Sequence, residues 1–358
     1  MTAVATTSAR ASVDPLASRL PVTVITGFLG SGKTTLLCRL LRHPGMHRAA
    51  VIVNEIGEVG IDHELVASSS EHTTLLGNGC LCCTLRTDLQ ETLRELFVKR
   101  RAGEVIDFDR VFVETTGLAN PVPVLHTLSS DGLLGAQYRL DGVVTLVDAV
   151  NGLGQLDAYA EARKQVAVAD RLVVTKTDIA DGATVDRLRE RLSALNPFAL
   201  CFAAIEGNLD PASLAGIGPR TIDAKAEELD RWLVPAGGEA RAPGNPARES
   251  AGPHDRSIQS FCLWFDKPFN WERLNAALQA LSQLRGPDLL RVKGIVRVEG
   301  EPGLIVLQGA QHLFHPPVTL EGGESESRSR IVFIVRNLTR ESIAGLFAAV
   351  EAIAEPAR

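Results

Sequence analysis

The stretch Val22-Thr23-Val24-Ile25-Thr26 leads directly into Gly27-Phe28-Leu29-Gly30-Ser31-Gly32-Lys33-Thr34-Thr35. The first part is an apolar, β-branched run that predicts a buried strand, and a leucine-rich helical pattern follows the second part. G-x-x-x-x-G-K-T between a strand and a helix is typical of a loop whose backbone N–H groups surround a polyphosphate. We expect Lys33 to contact the β- and γ-phosphates of a nucleoside triphosphate and Thr34 to hold Mg²⁺. The remaining positions are expected to line the phosphates, namely Gly27, Gly30, Ser31, Gly32 and Thr35.

Continuous apolar runs alternate with helical patterns from residue 21 to about residue 205. The predicted strands are 21–26, Ala50–Asn54, Arg110–Val113, Gly142–Val147 and Arg171–Thr175, with a weaker one near Ala199–Ala203. The predicted helices cover about 33–43, 87–100, 155–169 and 183–195. This alternation predicts an α/β fold, a P-loop NTPase domain with a mainly parallel sheet. Ligands of such sheets bind at the carboxyl ends of the strands.

A length of 358 residues favours two domains. We predict a disordered tail over 1–20, the P-loop domain over 21–215, a connecting segment and linker over 216–256, and a small α+β domain over 257–356. In the last domain the predicted strands are Ile258–Phe265, Leu289–Val298, Leu304–Gln308 and Ile331–Arg336. Its predicted helices are Trp271–Leu284 and Glu341–Ile353.

Composition limits the classes of partner. The net charge of −6 gives no support to a nucleic-acid partner or to an anionic membrane surface. The sequence contains no run of eighteen apolar residues, so it predicts no membrane-spanning helix. Six cysteines, three of them within four positions, occur without a secretion signal. This usage favours a cytoplasmic protein in which clustered thiols bind metal or carry redox chemistry.

Two apolar strands end in an acid. Glu114-Thr115-Thr116-Gly117 follows the run Arg110–Val113, and an acid at this place in P-loop proteins orders the Mg²⁺ shell. The N–H group of Gly117 is then expected to meet the γ-phosphate, in a loop ordered by the triphosphate. Asp148 ends the run Gly142–Val147 and is a rival for the same role. The sequence does not decide which acid lies nearer the metal.

The segment Thr175-Lys176-Thr177-Asp178 follows another buried run. In N/T-K-x-D, the aspartate accepts hydrogen bonds from two guanine groups that adenine does not offer, and the lysine stem packs on the ring. The segment therefore favours GTP over ATP. Thr175 stands where asparagine is usual, so we expect a looser tether to the phosphate loop.

The segment Gly77-Asn78-Gly79-Cys80-Leu81-Cys82-Cys83-Thr84 contains three thiols in C-x-C-C spacing. Thiolates are soft ligands that suit Zn²⁺ and related divalent ions, and we predict that one turn presents Cys80, Cys82 and Cys83 to such an ion. A vicinal redox pair and a structural turn with inert thiols are the alternatives. Glu55, after the second strand, is a candidate oxygen ligand; a solvated loop is the alternative there.

Together these motifs resemble the CobW-type metallochaperone GTPases. The likeness also includes Asn54–Asp62, Glu114–Pro121, and Ser260-Phe261, Trp271 and Arg291–Gly294 in the second domain. The resemblance implies a GTPase that binds Zn²⁺ or Co²⁺ at the cysteines and passes the metal to a client protein. Many relatives carry a histidine-rich run between the domains, whereas this linker holds only His254. The resemblance therefore gives no support to an auxiliary metal reservoir there.

We accordingly expect Lys33, Glu114 and Gly117 to serve hydrolysis, with slow intrinsic turnover because no arginine finger is identifiable. A metal sensor or buffer that uses GTP only as a conformational ligand is an alternative function. A small-molecule kinase and a cobalt or iron delivery factor for a specific metalloenzyme are others. The client, the physiological metal and the oligomeric state are left open by the sequence.

Overall fold

The computed structural model describes residues 19–46, 48–53, 66–70, 73–76, 81–84, 89–218, 258–311, 313–314, 317–320 and 328–353. Most of the predicted tail and of the predicted linker lie outside these residues, so the domain boundaries stay a prediction. Within the described part of the chain, every helix is too short or too polar to cross a lipid bilayer.

In the N-terminal part, the described residues form nine strands and the helices between them. The strands are β1 (Leu20–Gly27), β2 (Ala49–Val53), β3 (Val66–Ser70), β4 (Thr73–Leu76), β5 (Leu81–Thr84), β6 (Arg110–Glu114), β7 (Tyr138–Asp148), β8 (Arg171–Thr175) and β9 (Leu200–Ala204). The helices are α1 (Lys33–Arg42), α2 (Leu89–Ala102), α3 (Val122–Ser130), α4 (Gly132–Gln137), α5 (Gly152–Ala158), α6 (Ala160–Val168) and α7 (Gly182–Leu195).

These strands form one sheet in the order β3-β4-β5-β2-β6-β1-β7-β8-β9. From β5 to β9 in this order all neighbours are parallel, and β3 and β4 extend the sheet as antiparallel strands. The predicted α/β fold is therefore confirmed. The central strands are buried along almost their whole length because helices cover both faces, which is why they appear as continuous apolar runs. Helix α1 covers one face with its leucines, Leu36, Leu37, Leu40 and Leu41.

Two local predictions were wrong. The helix predicted over 155–169 is two helices, α5 and α6, because Tyr159 adopts an extended conformation between them. The segment predicted as a cysteine-bearing turn contains the strand β5, whose backbone places Cys82 beside Val51 and Cys83 beside Ile52 of β2. Backbone pairing with a central strand thus overrides the local turn-like composition of the glycine-rich segment.

In the C-terminal part, the residues from 258 to 353 that the structure describes form a second, antiparallel sheet with two long helices. Its elements are β10 (Ile258–Phe265), α8 (Trp271–Arg285), β11 (Leu289–Arg297), β12 (Leu304–Ala310), β13 (Leu313–Phe314), β14 (Val318–Leu320), β15 (Ser329–Arg336) and α9 (Arg340–Ile353). The strand order is β10-β15-β11-β12-β13, and β14 also pairs with β12. The α+β expectation is confirmed, with two short strands added to it.

The two faces of this second sheet are buried against different partners. Alternate residues of β15 point to opposite faces. Phe333 and Val335 pack with α8 and α9, whereas Val332 and Ile334 pack with residues of α3 and α6 in the N-terminal part. The C-terminal sheet therefore lies directly on α3, which follows β6, and on α6, which precedes β8.

Candidate functional site

The loop between β1 and α1 requires glycine at three positions. Gly30 and Gly32 have φ values of 73° and 88°, in the left-handed region that L side chains rarely adopt. At Gly27, with φ of 147°, an added Cβ would lie 2.4 Å from the carbonyl oxygen of Leu146. The chain can therefore make this tight turn against β7 only because these side chains are absent, which fits a loop that surrounds a polyphosphate.

Lys33 begins α1 and turns back into the loop. Its ammonium donates to the carbonyl oxygens of Gly27 (3.0 Å) and Phe28 (3.2 Å), and the side chain is buried. These contacts hold the positive charge of Lys33 inside the turn between β1 and α1. A buried cation at a helix N-terminus is a suitable environment for the oxygens of a bound phosphate chain.

Thr34 and Glu114 meet at the carboxyl edge of the sheet. Glu114 ends β6, which runs beside β1, and only 4% of its surface is exposed. The hydroxyl of Thr34 donates to Oε1 of Glu114 at 3.1 Å. A hydroxyl and a carboxylate at this spacing, next to the phosphate loop, are the hard oxygen donors that Mg²⁺ prefers. The residues present therefore fit a magnesium ion carried by a nucleotide.

The loop after Glu114 lies against the phosphate loop. Thr115 is fixed to β1 through its N–H group, which donates to Ile25 (2.9 Å), and through its hydroxyl, which donates to that of Thr26 (2.8 Å). Further along, a Cβ added to Gly117 would lie 2.8 Å from the backbone nitrogen of Leu29. Gly117 is therefore in close contact with the turn that is expected to hold the γ-phosphate.

Asp148, the rival acid, has different neighbours. Its Oδ2 accepts from the ammonium of Lys176 at 2.7 Å and from the side chain of Asn151 at 2.9 Å. Its Oδ1 accepts from the backbone N–H of Val150 at 2.8 Å. Burial raises the pKa of Asp148, but these hydrogen bonds outweigh it, and the pKa is held below its ordinary value. Asp148 therefore orients the lysine of the predicted guanine motif.

The T-K-x-D segment is tied to the phosphate loop. The Thr175 hydroxyl donates to the Ser31 carbonyl oxygen at 2.8 Å, so the tether that asparagine usually makes is made here by threonine. Lys176 adopts φ of 57° and Asp178 is exposed to solvent. The left-handed backbone of Lys176 turns the chain out of β8 just before the predicted guanine acceptor.

Sequence reasoning missed two contributors to this region. The loop after β9 packs on α1: an added Cβ at Gly207 would lie 2.9 Å from the carbonyl oxygen of Thr35, and Glu206 forms an exposed ion pair with Arg39. Gln165 of α6 donates from its side-chain amide to the carbonyl oxygen of Gly117. The glycine at position 207 was a possible sequence signal of a turn for the first, whereas nothing local marks the second.

The side chains of the predicted zinc ligands lie outside the part of the chain that the structure describes. Cys80 and Glu55 lie outside the described residues, and for Cys82 and Cys83 the description covers the backbone of β5 alone. Among the side chains that the structure does describe, no three from His, Cys, Asp and Glu form a metal-binding group. The cysteine site therefore stays a prediction.

Comparison with known proteins covers both parts of the chain. The family model described as CobW/HypB/UreG, nucleotide-binding domain, matches residues 21–202. The model described as cobalamin synthesis protein cobW C-terminal domain matches residues 258–351.

Among curated proteins, the zinc chaperone YjiA of Escherichia coli is 33% identical, over 92% of this chain and 98% of its own length. The zinc chaperone CobW of Pseudomonas aeruginosa is 31% identical, over 91% of this chain and 90% of its own length. The crystal structure of Zn(II)-bound YjiA GTPase from E. coli matches with a TM-score of 0.72 and 31% identity, covering 93% of this chain and 99% of that one. With its phosphate loop, strand-end acids and second sheet, the chain belongs to the CobW/HypB/UreG family of nucleotide-binding proteins and carries the cobW-type C-terminal domain.

Proposed function

We propose that this protein is a Mg²⁺-dependent GTPase that binds Zn²⁺ and transfers it to a client metalloprotein under nucleotide control. The observation that carries the proposal is the contact between Thr34 and Glu114 beside the buried ammonium of Lys33. The relatives support the metal and the nucleotide, since they are named zinc chaperones and a GTPase.

Hydrolysis joins water to the γ-phosphorus of GTP and breaks its bond to the β–γ bridging oxygen, giving GDP and phosphate. Lys33 and the N–H groups of the loop stabilise the charge that builds on the β- and γ-oxygens. Magnesium, when bound through Thr34 and ordered by Glu114, supplies charge neutralisation at the same oxygens. The Gly117 N–H group contacts the γ-phosphate. In these roles, the residues at the carboxyl ends of β1 and β6 and in the loops that follow them bind the γ-phosphate.

The residues proposed to bind the base lie on the other side of β1, after β7 and β8. Asp178 accepts from guanine, and the Lys176 stem packs on the ring while Asp148 fixes its ammonium at 2.7 Å. Thr175 fixes this segment to the phosphate loop. The base and the phosphates are therefore held by segments that are bonded to each other.

The cargo metal is assigned to the thiols of Cys80, Cys82 and Cys83, with Glu55 as the oxygen ligand. Thiolates favour Zn²⁺, and Co²⁺ fits the same donor set. Linkage fixes the coupling: if GTP tightens zinc binding tenfold, about 1.4 kcal/mol joins the two sites, and zinc tightens GTP binding equally.

Two measurements test this function. In the first, phosphate release is followed with GTP and with ATP, in Mg²⁺, with and without Zn²⁺. We expect multiple turnovers with GTP, stimulated by Zn²⁺, and little reaction with ATP. A protein that binds GTP without turnover is a sensor or buffer, and transfer of phosphate to a metabolite instead of water indicates a kinase.

In the second, a chelator competes for Zn²⁺ with and without a non-hydrolysable GTP analogue. Cys82→Ser and Cys83→Ser are expected to weaken zinc binding at least a hundredfold and to abolish the effect of the nucleotide. Cys201→Ser is the matched control, because Cys201 is an exposed thiol of β9. Equal zinc affinity in all three variants contradicts the cysteine assignment, and preferential tight binding of Co²⁺ or iron indicates a different cargo.

A further inference from the structure

A buried glutamine holds the loop that follows β6. The side-chain nitrogen of Gln165 donates to the carbonyl oxygens of Gly117 at 3.1 Å and Ala119 at 3.0 Å, and only 1% of the residue is exposed. The reverse orientation of the amide would place its oxygen against two carbonyl oxygens, so the donors must face the loop. Loss of this amide would leave two carbonyl groups without their partner.

The support of Gln165 is rigid. Its own backbone carbonyl accepts from the hydroxyl of Thr145 on β7 at 2.8 Å. In the same last turn of α6, the buried side chain of Asn196 donates to the carbonyl oxygens of Val166, at 2.8 Å, and Ala169, at 2.9 Å. Because these contacts hold the last turn of α6, the amide of Gln165 is a defined anchor for a loop that belongs to another part of the chain.

The loop that Gln165 holds includes a residue that is proposed to contact the nucleotide. Gly117 is one of the two acceptors, and it already contacts Leu29 of the phosphate loop. Its N–H group is the one assigned to the γ-phosphate. The γ-phosphate is the only group that distinguishes GTP from GDP, so the order of this loop affects the two nucleotides differently.

We propose that Gln165 is a positioning residue of the GTPase, which orients the Gly117–Ala119 segment so that the N–H group of Gly117 faces the γ-phosphate. The inference rests on the proposed role of Gly117. Without the amide, the segment samples other conformations, and GTP must order it on binding. The expected consequence is a loss of discrimination between GTP and GDP, together with slower hydrolysis.

The test uses Gln165→Met, which keeps the length of the side chain and removes both donors, and Gln165→Glu, which places a carboxylate against the two carbonyl oxygens. We expect the affinity for a non-hydrolysable GTP analogue with Mg²⁺ to fall about tenfold in Gln165→Met and further in Gln165→Glu. The affinity for GDP should change less than twofold. We also expect the KM for GTP to rise and kcat, measured at saturating GTP, to fall about tenfold.

Tyr138→Phe is the control, since it removes a buried hydroxyl whose hydrogen bond to the carbonyl oxygen of Leu93 (2.9 Å) lies at the N-terminal end of β7, away from the phosphate loop. It should lower Tm and leave the ratio of GTP to GDP affinity unchanged. If Gln165→Met lowers Tm without changing this ratio, or if both variants change it equally, the positioning role is overturned. Gln165→Asn, a shorter amide, carries the same test with a smaller expected shift if Gln165→Met does not fold.

The control for the underlying function is the unaltered protein. If it does not hydrolyse GTP, the proposed function fails. If it hydrolyses GTP and Gln165→Met keeps the same affinity ratio and kcat, only the inference about Gln165 fails.

Discussion

Glu114 and Asp148 end the two strands that flank β1, yet they have different partners. Both follow apolar strands and both are buried, with 4% and 1% of their surface exposed. Glu114 accepts from the hydroxyl of Thr34, next to the phosphate loop, whereas Asp148 accepts from the ammonium of Lys176, in the proposed guanine segment. The role of an acid at a strand end is therefore decided by the element that reaches it from elsewhere in the chain.

This comparison divides the site into a phosphate side and a base side. The contact with Thr34 favours Glu114 as the acid that orders magnesium, a choice that the sequence leaves open. Variants of the two acids should accordingly fail in different ways, one in the chemical step and the other in nucleotide binding.

The largest effect is expected from Glu114→Gln. The amide keeps the shape of the side chain and removes the negative charge that orders the metal, so kcat should fall roughly 100- to 1,000-fold. GDP affinity should stay within about threefold, because binding of the base and of the first two phosphates is unaltered. Single-turnover phosphate release and calorimetric GDP binding measure the two quantities. A kcat within about fivefold of that of the unaltered protein would place the essential acid elsewhere.

Asp148→Asn should weaken both nucleotides without slowing chemistry. The ammonium of Lys176 loses its buried anionic partner, so it is no longer fixed where the proposed function places the base. We expect the affinities for GTP and GDP to fall together about tenfold, with kcat changed less than about threefold. Equilibrium titration with fluorescent GTP and GDP analogues checks this. A selective loss of GTP binding, or a raised Mg²⁺ requirement, would contradict the division between the two sides.

Gly117→Ala sharpens the comparison on the phosphate side. An added Cβ would lie 2.8 Å from the nitrogen and 2.9 Å from the Cα of Leu29, so the loop must move. We expect kcat to fall about tenfold with GDP affinity unchanged. Because the close atoms include backbone, the double variant with Leu29→Ala should remain impaired. Full recovery of kcat in the double variant would show that the Leu29 side chain alone causes the clash.

The smallest effect concerns pH. The pKa of Asp148 is held below its ordinary value of 3.8 in the folded protein. As the pH falls, the carboxylate of Asp148 is therefore protonated at a lower pH in the folded protein than in the unfolded chain. The stabilisation from this group is present above pH 3.8 and is lost as the pH falls through that value towards the folded-state pKa. Between pH 6 and pH 3, Tm should fall about 1 to 3 °C less in Asp148→Asn than in the unaltered protein. Parallel curves would mean that the Lys176 contact does not stabilise the fold.

The features that could be predicted from the sequence are those whose residues are contiguous in the chain. The phosphate loop was predicted because its glycines, Lys33 and Thr34 are neighbours in the chain, and the strands were predicted because their burial makes the apolar runs continuous. The partners that give each acid its role were not predictable in this way. Lys176 lies 28 positions from Asp148, and Gln165 lies 48 positions from Gly117. Strand register brings the first pair together and the packing of α6 on the sheet brings the second together, and no local pattern records either.

The contact between the two parts of the chain was equally hidden from sequence. Asp170, just after α6, forms buried ion pairs with Arg291 at 2.6 Å and Lys293 at 2.8 Å, both from β11. Its Oδ2 also accepts from the N–H group of Val143. Positive charge from β11 holds the pKa of Asp170 well below its ordinary value despite burial, while burial lowers the pKa of Lys293.

This cluster has a consequence for dissecting the protein into pieces. Removal of the second sheet would expose apolar helices and leave Asp170 without its two cations, whereas the excised sheet would keep two cations without their anion. Breaking such a buried pair costs about 3 to 5 kcal/mol, a large part of the stability of an ordinary domain. The halves should therefore melt in a single cooperative transition, and point substitutions in the intact chain are the sound way to separate their contributions.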